Sequence, residues 1–174
     1  INIGVVAFPF GQQDFWPRVL ERLAVVPNMV GFFPPTSGPE VGEAVSSLVP
    51  GRYIWIAENE DQAIRAFPHG SLAYSTAAAA IVPNASRQFW RNGVSGDVES
   101  MMEVYDESIR PILGIRSLKP GYGVSGIKVA LEVLGRAGGP TRPPDTQVAE
   151  PDRLAIADIL AGNAEVSHLV RQNG

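Results

Sequence analysis

The chain has 174 residues, of which 45% are hydrophobic and 18% charged, with a formal net charge of −4. That balance belongs to a globular domain with a sizeable core, and the lack of any Lys/Arg cluster argues against nucleic acid as the main partner. There is no cysteine, and the two histidines, His69 and His168, stand far apart, so disulfides, thiolate chemistry and a histidine metal site are not expected.

The opening, Ile1-Asn2-Ile3-Gly4, has neither an initiator methionine nor the basic region of a signal peptide, and reads as the interior of a longer chain. Ile3 to Phe8 is a continuous apolar run closed by Pro9, suited to a strand buried on both faces. Asp14 as N-cap, with Phe15, Val19, Leu20 and Leu23 at helical spacing, predicts a helix over 14–25. Pro27-Asn28 then turns into a second strand, Met29 to Phe33, which ends at Pro34 and Pro35 because neither has an N–H to donate. Pro39 suits the first turn of the next helix, whose apolar face is Val41, Ala44, Val45 and Leu48. Tyr53 to Ala57 is a third strand, Glu60 to Phe67 a short helix ended by His69-Gly70, and Ser71 to Thr76 a fourth strand. Strands alternating with helices at intervals of roughly 20–25 residues imply βαβ units and a parallel sheet.

From Pro83 onward the pattern is helical. Asn84 to Arg91 is one helix, and Gly96-Asp97 opens another with Met101, Val104, Tyr105, Ser108 and Ile109 on one face. Val124 to Leu134 is a third, stopped by Gly135. Gly138 to Pro144 is expected to be an extended, rigid connector, and Pro151-Asp152 begins a last helix through Leu160. The polar tail after Gly162 is expected to fray. No apolar run approaches the roughly 18 residues of a membrane span.

Chemistry in α/β proteins gathers just past the carboxyl ends of parallel strands. Past the second strand stand Phe33, two prolines, Thr36 and Ser37, with no lysine, histidine or carboxylate. Glu58 and Asn59 follow the third strand and either face a site or cap a helix; Ser75 and Thr76 end the fourth, as ligand-binding hydroxyls or turn residues. Tyr53, Trp55 and Tyr74 read as strand packing. Gly121-Tyr-Gly-Val-Ser-Gly126 matches G-x-G-x-x-G, but a helix precedes it where a dinucleotide site needs a strand, so a flexible helix start is the expected reading. Arg142 reads as a structural arginine bonding carbonyls or a carboxylate, and Glu99, Glu103, Asp106 and Glu107 as a solvated helix face. There is no Ser-His-Asp order, P-loop or nucleophile elbow.

Several stretches together carry a resemblance. Lys119-Pro-Gly-Tyr-Gly-Val-Ser-Gly-Ile-Lys128 and Leu134-Gly-Arg-Ala-Gly-Gly-Pro-Thr-Arg-Pro-Pro144 resemble the carboxyl-terminal helices of the dihydrodipicolinate synthase / N-acetylneuraminate lyase superfamily, nearest its 5-dehydro-4-deoxyglucarate dehydratases. Tyr74-Ser-Thr76, Ile81-Val-Pro83 and Gly96-Asp97 look like that family's eighth strand and following helices, and Leu23 to Gly31 like the approach to its sixth. The resemblance covers most of the chain but only strands five to eight of a (β/α)8 barrel.

The resemblance implies an α/β fold: a partial (β/α)8 TIM barrel over 1–95, followed by a helical region over 96–174. It implies lyase chemistry on 2-keto sugar acids, in which a lysine on the sixth strand forms an imine with the substrate carbonyl and a tyrosine on the fifth relays protons. The family lysine falls at Phe33 and the tyrosine near Val6 or Ala7, so neither group is present; Lys119 and Lys128, the only lysines, lie in the helical region. No catalytic residue, metal or cofactor is therefore assigned. Ser75, Thr76, Glu58 and Asn59 remain as candidate substrate-binding residues. The expected chain is a cytoplasmic subunit completed by a second copy or by a partner supplying the amino-terminal half-barrel, with a 2-keto acid as its ligand and no nucleic acid or membrane partner. Its alternative role is a catalytically inactive subunit kept for binding or assembly.

Overall fold

The computed structural model describes residues 4–7, 16–23, 25–34, 38–48, 51 and 53–173. The apolar runs become four short strands: β1 Val5–Ala7, β2 Met29–Phe32, β3 Ile54–Ala57 and β4 Ala73–Tyr74. They lie side by side in chain order, every pair parallel. Helices α1 Trp16–Leu23, α2 Pro39–Leu48 and α3 Glu60–Ala66 fill the connections, as parallel pairing requires. Asp14 and Phe15, expected to start α1, and Thr36 and Ser37 lie outside the described residues.

Register separates two faces of this sheet. Val6 pairs with Gly31 and Gly31 with Ile54, while Ile56 pairs with Ala73. Because side chains alternate along a strand, this row shares one face, and there Val6 is 43% and Ile54 47% exposed. The opposite row is Ala7, Phe32 and Trp55, with Ala57 paired to Tyr74. Phe32, Trp55 and Ala57 are buried there, as are Val41 of α2 and Ala63 and Ala66 of α3. Burial of this kind stabilises by about 1.5–3 kcal/mol per large side chain. Tyr53 meets Phe32 edge to face at 6.4 Å, and its hydroxyl donates to the Leu23 carbonyl at 3.1 Å, which ties the start of β3 to the end of α1.

The fourth strand is shorter than its sequence implies. The Ser71 N–H donates to the Ala66 carbonyl that ends α3, and the Ser71 hydroxyl donates to the Trp55 carbonyl at 3.0 Å. The same hydroxyl lies 3.0 Å from the Ala73 carbonyl, and regular pairing begins only at Ala73. Past Tyr74 the Ser75 N–H still reaches the Ala57 carbonyl at 2.8 Å. The turn into this strand is a 3-10 turn, Phe67–His69, closed by Gly70 at φ 95°, a left-handed position that glycine adopts freely.

The chain divides into two compact units, Ile1–Thr76 with Asn92–Asp97, and Ala77–Arg91 with Val98–Gly174. The remaining helices are α4 Pro83–Ser95, α5 Val98–Val104, α6 Arg110–Arg116, α7 Tyr122–Val133, α8 Glu150–Gly162 and α9 Ser167–Asn173. Between α5 and α6 the helix widens into a π turn, Tyr105–Ile109. Pro111 follows it and has no N–H to return to the preceding turn, a recognised cause of such widening. Met101, Tyr105 and Ile109 are buried, as their spacing implies. Glu99, Glu103, Asp106 and Glu107 are exposed, with Asp106 paired to Arg110.

Three expectations change in this second unit. The tail past Gly162 is helical and anchored. Asn163, 3% exposed, donates through Nδ2 to the Ser108 carbonyl of the π turn at 2.9 Å, and the Glu165 carboxylate accepts the Asn84 and Ala85 N–H groups at 2.9 Å each, capping α4. Arg142 is exposed and its guanidinium makes no ion pair or hydrogen bond among the described residues; Gln147 instead donates to the Thr141 carbonyl at 2.8 Å and hydroxyl at 2.9 Å. The helix expected from Val124 begins at Tyr122, straight after Gly121 at φ 87°. The glycine motif thus opens a helix from a turn. Among the described residues no helix is long and apolar enough to cross a membrane.

Gly31 is required by the sheet. A Cβ there would sit 2.5 Å from the Ile54 carbonyl oxygen, and that backbone cannot yield without breaking the ladder. Gly31→Ala is expected to cost about 1–3 kcal/mol in urea unfolding, the range for overpacking a filled position.

A second expectation concerns pH. The Asp152 carboxylate accepts from the Lys119 ammonium at 2.6 Å and the Tyr122 hydroxyl at 2.7 Å. Those two bonds, Lys119 first, hold the Asp152 carboxyl below its ordinary value of 3.8, while Asp152 raises Lys119 above 10.5. A depressed carboxylate contributes stability that is present above its ordinary pKa and is lost as pH falls through the folded value. Asp152→Asn should therefore lower Tm at neutral pH, and the gap to wild type should close on acidification.

Candidate functional site

Because β2, β3 and β4 are adjacent and parallel, the residues after each emerge at one end of the sheet. After β2, Phe33 is half-buried and donates its N–H to the Ala7 carbonyl at 2.9 Å, so its backbone still runs as strand. Pro34 is buried behind it. On β1, Val6 is exposed and Ala7 half-buried.

After β3, Glu58 is exposed, and its N–H donates to Gln62 Oε1 at 3.0 Å. Asn59 is extended, at φ −157° and ψ 179°, and its Oδ1 accepts the Gln62 N–H at 2.9 Å, which makes it the N-cap of α3. The Asn59 oxygen is thereby committed to the helix. After β4, Ser75 is exposed while Thr76 is half-buried. Neighbouring strand positions face opposite ways, so the two hydroxyls serve different surroundings. Ser75 follows the alternation of Ala73 on the open face, and Thr76 that of Tyr74.

Thr76 makes the decisive contact of this region. Its hydroxyl donates to Glu60 Oε1, and Glu60 is 1% exposed. Glu60 opens α3, where the positive end of the helix dipole favours a carboxylate. Glu60 was not among the residues singled out from sequence. An acidic residue just inside a helix start is ordinarily a solvated partner of that dipole; its burial arises only because β4 returns beside β3.

The two lysines belong to the second unit and are engaged there. Lys119 pairs with Asp152, and Lys128 Nζ donates to the Pro140 carbonyl at 2.9 Å. Lys128 also lines a cavity of about 270 Å³ with Ser125, Glu132, Thr141 and Gln147. The Arg153 guanidinium, then the Gly139 N–H and the charges of Arg153 and Lys128, hold the Glu132 carboxyl below its ordinary value. These contacts pin the connector onto α7. No three His, Asp or Glu side chains among the described residues gather as a metal site.

With this geometry in hand, known proteins place the chain. The family model for the dihydrodipicolinate synthetase family matches residues 7–163. The chain belongs to the dihydrodipicolinate synthetase family. It is 28% identical over 172 residues to a probable 5-dehydro-4-deoxyglucarate dehydratase of Ralstonia nicotianae, covering 97% of this chain and 55% of that protein. With the protein of the same description from Bradyrhizobium diazoefficiens it shares 30% over 165 residues, 92% of this chain and 52% of that one. Dihydrodipicolinate synthase from Oceanobacillus iheyensis superposes with a TM-score of 0.76 at 20% identity, over 90% of this chain and 53% of the other. The chloride-inhibited synthase from Acinetobacter baumannii complexed with pyruvate gives 0.75 at 18% identity, over 95% and 57%.

This member of the family thus spans about half the length of the curated relatives it matches. Its fold is the aldolase/dehydratase type in partial form, a run of parallel βα units from the (β/α)8 barrel followed by helices. Thr76→Val keeps the side-chain shape and removes the donor to a buried carboxylate. It is expected to cost about 1–3 kcal/mol in chemical unfolding, the usual penalty for taking a hydrogen bond from a buried charged group.

Proposed function

We propose that this chain contributes four strands to a lyase-type barrel that holds a 2-keto sugar acid at its strand ends, and that these strands themselves carry out no imine chemistry. One observation carries the reading: Phe33 follows β2 directly, where the family resemblance calls for the Schiff-base lysine. An imine needs an amine nitrogen to attack the carbonyl carbon and then serve as the electron sink, and a phenyl ring offers neither. Val6 and Ala7, in the region of the proton-relaying tyrosine, offer no acid or base. The dehydratase names of the relatives and the pyruvate in one structural neighbour support a keto acid as ligand.

Ser75 is the hydroxyl best presented to such a ligand, being exposed on the open face. Glu58 is an exposed carboxylate at the same end, and it repels a ligand's own carboxylate. The anionic end of the substrate therefore points to the other half of the barrel. A nucleophile, where one acts, comes from that half too.

Borohydride trapping tests the reading. With pyruvate and borohydride, the wild-type chain should stay unmodified in intact mass. Phe33→Lys, which places an amine on a strand-like backbone facing the same end, should raise trapped adduct about tenfold or more, mapped to position 33. A wild-type adduct on Lys119 or Lys128 that supports turnover would overturn it.

A further inference from the structure

The cavity of about 270 Å³ beside α7 belongs wholly to the second unit, and its walls are polar and firmly set. On α7 it is lined by Ser125, Lys128 and Glu132, three and four residues apart, the spacing that brings side chains onto one helix face. Thr141 and Gln147 line it from the connector. The connector is pressed so closely onto the helix that a Cβ at Gly138 would have no room beside the Lys128 carbonyl. Two bonds fasten it there: Lys128 Nζ donates to the Pro140 carbonyl at 2.9 Å, and the Gly139 N–H donates to Glu132 Oε1 at 3.0 Å.

The charges around this cavity do not balance. Glu132 is answered by the Arg153 guanidinium at 2.9 Å. Lys128 meets only the neutral Pro140 carbonyl, and among the described residues no carboxylate forms an ion pair with it. An ammonium has three N–H donors, so two are left for a ligand. Ser125 is 2% exposed, and its hydroxyl reaches the Gly121 carbonyl only at 3.5 Å, a weak tie. Gln147 donates through Nε2 to Thr141, while its Oε1 accepts no hydrogen bond among the described residues.

We propose that this cavity binds a small hydroxy monocarboxylate, with its carboxylate on the Lys128 ammonium and its hydroxyl groups on Ser125 and Gln147. Glu132 sets the charge limit. Arg153 holds its carboxyl below the ordinary value, so it stays ionised and repels a second anionic group on the ligand. A monoanion is therefore favoured over a dicarboxylate or a phosphate. The volume sets the size limit, since it falls just under the roughly 300–1,000 Å³ of sites for drug-sized molecules and suits an acid of a few carbons. Only residues of the second unit take part, so the proposal stands independently of the keto-acid reading of the strand ends.

The test is a titration of the ¹⁵N-labelled chain with D-glycerate, a monocarboxylate with two hydroxyls and no carbonyl that could form an imine. The amide signals of Lys128, Val129, Gly139 and Thr141 should shift together and saturate with a Kd of about 1 mM or tighter. Succinate and inorganic phosphate should bind at least about tenfold more weakly. Lys128→Met, which keeps the stem and removes the ammonium, should weaken glycerate binding about tenfold or more. Shifts that do not saturate, shifts confined to the residues around Phe33 and Ser75, succinate or phosphate binding as tightly as glycerate, or unchanged affinity in a Lys128→Met variant folded by circular dichroism would each overturn the proposal. The mapping and the comparison of anions are made on the wild-type chain, so they decide the matter even where the variant fails to fold.

Discussion

The parallel ladder is the constraint from which the rest follows. Parallel strands demand a helix in every connection, and here the buried row of Phe32, Trp55 and Ala57 secures one face, together with Val41, Ala63 and Ala66 of the helices. On the other face Val6 and Ile54 are nearly half exposed, while Met29 and Gly31 are buried. Four parallel βα units of this kind form an arc of the ring that eight such units close. Gly31 shows how tightly the arc is drawn: β2 and β3 approach so closely that no side chain fits between its Cα and the Ile54 carbonyl.

Function and fold part company at the strand ends. The backbone around Phe33 still runs as strand, while its side chain has no reactive atom. The polar groups that remain nearby are largely occupied by structure. Asn59 caps α3, and Thr76 serves the buried Glu60 carboxylate. Ser75 and Glu58 are exposed.

The second unit is held by side-chain ties over long sequence separations. Glu165 caps α4 from 80 residues away, and Asn163 satisfies the carbonyl that the π turn leaves over at Ser108. Lys128 and Glu132 hold the connector through the Pro140 carbonyl and the Gly139 N–H. The lysines of this chain thus act as structural cations, which agrees with their position in the helical region rather than on a strand.

How much of this was legible beforehand depends on the range of the interaction. The alternation of apolar runs with helical patterns, the prolines and the turn glycines are local, and they determined four parallel strands, the helices and the absence of a lysine after the second strand. The family resemblance, carried by Lys119–Lys128 and Leu134–Pro144, identified the barrel and the part of it present. What only tertiary structure decided is which polar groups are free. Glu60 looks like an ordinary solvated helix start until β4 brings Thr76 against it. Asn163 and Glu165 look like a loose tail until α4 and the π turn present unpaired backbone groups to them. Arg142 was expected to bond carbonyls or a carboxylate, and among the described residues its guanidinium does neither, while Gln147 bonds the neighbouring Thr141 carbonyl. Hydrogen bonding of this kind depends on which backbone groups remain unpaired after the chain has folded, and that is a property of the packed molecule rather than of any stretch of sequence.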